Sequence, residues 1–117
     1  MLRNKAGLGK LPDPALTGIP VIVAAELWTG VKKNLLTHPH QAGRLEAFLN
    51  LFWIADFTLE AAEHYADIRA TLEATGKSIG PLDLLIAAQT RSLGATLVTA
   101  NGGEFKRVKG LKVQVWK

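Results

Sequence analysis

Residues 79–90 read IGPLDLLIAAQT, and residues 91–101 continue RSLGATLVTAN. Gly80 can cap an incoming loop, and Pro81 has the fixed φ that the first helical position accepts without loss. The apolar run that follows predicts a helix to about Leu93, with Gly94 as its stop. ATLVTAN then predicts a short buried strand. A helix handed to a strand through a single glycine is a building unit of α/β folds. One charge interrupts the apolar residues of 79–90, the carboxylate of Asp83. An acid in such company needs a reason.

Working outward, FWIADF (52–57) predicts a strand, and Thr58 is positioned to cap a long helix through Thr75. Ala61, Tyr65, Ile68 and Leu72 form that helix's apolar stripe, and Gly76 ends it. LKVQVW (111–116) alternates as an edge strand does. Towards the N-terminus, IPVIVA (19–24) is a β-branched apolar run that predicts a buried strand. It leads into AELWTGVKKNLL, where Leu27, Val31 and Leu35 recur at helical spacing. After the polar break THPHQ, Leu45, Phe48, Leu49 and Phe52 share the face of a second helix. Residues 1–18 are punctuated by Gly and Pro and read as loop. Strands alternating with helices imply a mostly parallel sheet covered on both faces.

The 117 residues are expected to make one domain with one core. Apolar residues are 48% and charged residues 21%, too apolar a balance for disorder. No apolar run reaches the ~20 residues of a membrane helix, and the N-terminus has no signal-peptide core. The absence of Cys removes disulfides and thiolate metal sites and makes a cytoplasmic address the expectation. A net charge of +4 suits a polyanionic partner without identifying one.

On this layout, acids and an amide gather beyond the strands' carboxyl ends, where ligands collect in such folds. Glu26 lies past strand 19–24, Asp83 in the first turn of helix 81–93, and Asn101 and Glu104 in the loop after strand 95–99. Oxygen donors of this kind suit Mg²⁺ or Mn²⁺. Each residue also has an ordinary reading. Asp83 complements a helix dipole, Glu26 can be a solvated acid at a helix start, and Asn101-Gly102-Gly103 makes a turn by itself. His38 and His40 read as part of a solvated loop. Trp28, Trp53 and Trp116 read as core or interface residues. Lys106, Arg107, Lys109 and Lys112 form a basic stretch that either contacts a polyanionic partner or simply solubilises an edge.

These stretches together resemble the PIN-domain ribonucleases, and among them the VapC toxins of bacterial toxin–antitoxin pairs, over residues 19–117. AELWTGVKK resembles the family's A-E-L-x-x-G segment and its basic residues. IGPLDLLIAA followed by LVTANGGEF resembles the family's I-G-P-x-D-x-x-I-A-A and L-V-T-x-N-x-x-E-F. The resemblance implies a three-layer α/β/α sandwich that binds Mg²⁺ or Mn²⁺ and cleaves RNA. Glu26 and Asp83 match its metal-binding acids, and Asn101 and Glu104 match its last, variable loop. In that loop Gly102 and Gly103 are expected to give conformational freedom. The implied partners are an RNA substrate, a cognate antitoxin and a second copy of the chain.

The family's first strand, ending in Asp-Thr-Asn, has no match in this sequence, so the resemblance implies a sandwich without that strand and without its metal-binding Asp. Asp13, between two prolines, is a conceivable substitute. Losing a middle strand would leave neighbouring N–H and C=O groups unpaired, at about 1–3 kcal/mol each when buried. The first reading is thus a VapC-like, metal-dependent endoribonuclease toxin of a type II pair. Its rival is a catalytically silent PIN remnant acting only through protein binding.

Overall fold

A computed structural model of the chain describes residues 16–116. The loop expected over 1–18 and the Asp13 substitute fall almost wholly outside them. Two compact units divide the described residues at the Asp56–Phe57 junction.

The first unit runs β1 (Gly18–Pro20), α1 (Val21–Lys33), α2 (Gln41–Leu49) and β2 (Trp53–Ala55). β1 pairs with β2 in parallel, Gly18 opposite Trp53 and Pro20 opposite Ala55. Parallel neighbours need a long crossover, and α1 and α2 supply it while packing on each other. Ile19, Ala24, Val31, Phe52 and Ala55 are buried, and the rings of Phe48 and Phe52 meet at 5.0 Å between centroids. Gly18 is required where it is: a β-carbon there would stand 2.7 Å from the Trp53 ring.

Here the sequence expectation needs correction. The strand placed over 19–24 lasts only to Pro20, and Val21 already opens α1. Pro20 has φ −58° and ψ 137° and precedes the helix as its cap residue. A short β-branched run fits a buried strand or a buried helix turn equally well, and periodicity cannot separate them. Leu35, expected on the helix face, lies beyond α1 and is exposed.

The second unit runs α3 (Leu59–Ala74), α4 (Pro81–Ser92), β3 (Thr96–Thr99), α5 (Gly102–Phe105) and β4 (Lys112–Val115). Thr58 Oγ1 accepts from the Ala61 N–H at 3.1 Å, satisfying one of the donors that a helix start leaves open. Ala61, Ile68 and Leu72 are buried on the expected stripe, with Tyr65 half-buried. α4 starts at Pro81 and yields to Gly94 at φ 64°. It packs along α3 and against β3, so Ile86 to Thr90 are all buried. Such burial on every side explains why the helix carries so little charge. The Thr90 hydroxyl is satisfied inside the helix by donating to Ile86 O at 2.8 Å.

β3 and β4 are parallel, with Leu97 opposite Val113 and Thr99 opposite Val115. Trp116 N donates to Thr99 O at 2.8 Å and extends the pairing by one bond. Lys112 and Gln114 face outward while Val113 and Val115 are half-buried, the alternation read from LKVQVW. Every strand pair in the described residues is parallel, in two two-stranded sheets. Trp116 joins the core at 2% exposure, Trp28 is half-buried under the Lys32 ammonium, and Trp53 is 60% exposed.

Candidate active site

α4 leads through one short turn into β3, so the strand runs back along the helix. The helix N-terminus and the strand's carboxyl end therefore lie at the same end of the unit. Asp83, half-buried in the first turn of α4, belongs to that end. Asn101 and Glu104 follow β3 directly onto it. A direct bond fixes the approach: Arg107 Nη1 donates to Ser78 O at 3.0 Å, tying the chain after α5 to the loop before α4.

The loop TANGGEF differs from expectation. Residues 102–105 form a single helical turn, with Asn101 at φ −114° before it. The Asn101 N–H donates to Thr99 Oγ1 at 3.1 Å, and its side chain makes no capping bond and is exposed. Gly102 and Gly103 do not use positive φ. Gly102 is buried, and a β-carbon on it would collide with Cγ2 of Val115. It is glycine to let α5 lie on β4, not to loosen a loop. Glu104 sits half-buried in the turn so formed.

Glu26 lies in the other unit, in the second turn of α1, and is exposed. It is not at a strand end, and being outside the first turn it is not a helix-start acid either. His38 and His40 are exposed in the segment between α1 and α2, where His38 Nδ1 shares a bond with the Thr37 hydroxyl. This agrees with their reading as loop residues.

Asp83, Asn101 and Glu104 offer oxygen donors only, which suit a hard cation. Among the described residues no group of three or more His, Cys, Asp or Glu is gathered to hold a metal ion. Mg²⁺ takes one or two carboxylates and keeps water or substrate phosphate as its remaining ligands, so a site for it need not gather three such groups.

One supporting residue has no signal in the sequence. Arg91, near the end of α4, donates to Asp67 Oδ2 at 2.7 Å, His64 Nδ1 at 2.8 Å and Lys109 O at 2.9 Å. Its fork holds α3, α4 and the segment before β4 together. The partners lie 18 to 27 residues away in the chain, beyond the reach of any local pattern.

Comparison with known proteins carries the reading beyond geometry. The profile of the PIN domain family matches residues 10–111, through both units. Ribonuclease VapC2 of Rickettsia felis is 41% identical over 98 residues, 84% of this chain and 72% of that protein. The tRNA(fMet)-specific endonuclease VapC of Shigella flexneri is 34% identical over 108 residues, 92% of this chain and 76% of that protein. The DNA-bound VapBC structure from Salmonella typhimurium superposes with a TM-score of 0.83 at 32% identity, covering 90% of this chain and 79% of the matched one. A parallel α/β frame with Asp83 and Glu104 at one end of its second unit, joined to these likenesses over most of the chain, places the protein in the PIN-domain family, among the VapC ribonucleases.

Proposed function

We propose that this protein is the toxin of a toxin–antitoxin pair and cleaves RNA phosphodiesters with Mg²⁺ or Mn²⁺. The observation that carries the reading is Asp83 in the first turn of α4, at the end onto which β3 delivers Asn101 and Glu104, in a chain of this family. Its relatives named as ribonucleases do not favour the rival remnant. We read the two units as one PIN domain because a single family profile runs through both.

Glu26 is offered as a metal ligand by the family resemblance alone, and Asp83 would hold the cation. Once bound, it would neutralise charge growing on the phosphate and make a water easier to deprotonate. Glu104 would take a proton from the attacking water as a general base. The Asn101 amide can donate to a phosphate oxygen and fix its orientation. As the new P–O bond forms, the bond to the leaving ribose oxygen breaks, and that oxygen takes a proton from solvent. The carboxylate of Asp83, in the first turn of α4, complements the helix dipole.

The expected partners are an antitoxin, as in the VapBC complexes, and a second copy of the chain in the cytoplasm. No helix among the described residues is long and apolar enough to cross a membrane. The direct test is cleavage of bulk tRNA by the purified chain with Mg²⁺ and with excess chelator. Activity that needs the ion is expected; undiminished cutting in chelator would refute the metal's role.

A further inference from the structure

Beside the site lies a surface that the proposed mechanism does not use. An open groove of about 470 Å³ runs between the end of α3 and the segment after α5, within the second unit. Lys77, Lys106, Arg107 and Lys109 line it, with Thr75 and Gly103 among its other walls and no acidic side chain. All four cations are exposed. Like charges collected in one groove repel, and a counter-charge from a ligand relieves that repulsion.

The segment bearing three of these cations is held firmly. Phe105 and Val108 are buried beneath it at 5% and 3% exposure. Arg91 Nη1 binds Lys109 O at 2.9 Å, and Arg107 Nη1 binds Ser78 O at 3.0 Å. A stretch serving only solubility needs no such anchoring. The Arg107 bond relates the groove to the site. Gly103, in its wall, is next to Glu104, and Ser78 lies in the loop that leads to Asp83.

We propose that this groove carries the phosphate backbone of the RNA flanking the bond to be cut. The inference rests on the ribonuclease reading and adds the residues that hold the substrate. Lys106 and Lys109 act here as point charges on phosphate, so their contribution is independent of base sequence and sensitive to salt. Arg107 spends one N–H on Ser78 O and keeps others for phosphate.

The test is fluorescence anisotropy with a labelled single-stranded RNA of mixed sequence, in chelator so that nothing is cut, over a salt series. Lys106→Gln, Lys109→Gln and the double variant are compared with Arg69→Gln. Arg69 lies on α3, pairs with Glu73 at 2.7 Å and does not line the groove, so its loss changes net charge equally. Each groove variant should flatten the slope of log K against log salt by about 0.7, and the double variant by about 1.4. Arg69→Gln should leave the slope unchanged, and Lys106→Arg with Lys109→Arg should restore it. Thermal melts, expected to be unchanged, check folding. A wild type that binds RNA, alongside a double variant with the same slope, would overturn the groove and leave the ribonuclease reading standing. A wild type that neither binds nor cuts RNA would overturn both.

Discussion

Gly102→Ala is the sharpest probe of how α5 is seated, and so of where Asn101 and Glu104 are delivered. The added methyl meets Cγ2 of Val115, with Cβ of the same residue 3.7 Å away. Val115 is half-buried in β4 and, being β-branched, cannot swing its methyl aside freely. Forcing a methyl into such a contact costs about 1–3 kcal/mol. Ala recovers some of this, because Gly is about 0.5–1 kcal/mol worse in a helix. The net loss should be about 0–2.5 kcal/mol, or up to roughly 10 °C in Tm at about 4 °C per kcal/mol for a chain of this size.

Val115→Ala removes the obstacle. In that background Gly102→Ala should be neutral or stabilising, giving a coupling of about 1–3 kcal/mol in a double-mutant cycle. Urea denaturation of the four proteins measures it. Gly102→Ala as stable as wild type, with no coupling, would refute the close seating of α5 on β4.

Two further outcomes follow from the second unit. Thr58→Ala should lose about 1 kcal/mol in urea denaturation, because the Ala61 N–H loses its acceptor, while Thr58→Ser should keep most of the stability. Arg91→Met should lose about 1–3 kcal/mol and Asp67→Ala less, since Arg91 is the more buried partner and bonds three residues while Asp67 bonds one. An equal loss from both would place the value of the contact in the exposed ion pair alone.

Much of the second unit was legible because its punctuation is local. Thr58, Gly76, Pro81 and Gly94 each act within a turn of their own position, and the elements between them begin and end where those residues direct. The run 19–24 was misread because its composition serves two conformations, and Pro20 settles which by closing β1 early. Gly102 was misread for a different reason. Its need for smallness comes from Val115, 13 positions away and across a pair of strands, and nothing beside it in the chain reports that. The Arg91 fork is illegible on the same ground. Asp83 was legible as an acid at a helix start, but a dipole partner and a metal ligand look alike there, so its role came from family resemblance.

Asp83→Asn tests the central claim most directly. An amide in the first turn of α4 should leave stability within about 1 kcal/mol of wild type, while removing the charge that would hold the cation. The measurement is the rate at which wild type and Asp83→Asn cut the same tRNA pool with Mg²⁺ present, each shown by its melt to be folded. Loss of cleavage in a folded Asp83→Asn is the expected result. Equal rates would contradict the assignment of Asp83 to the metal and, with it, the proposed site.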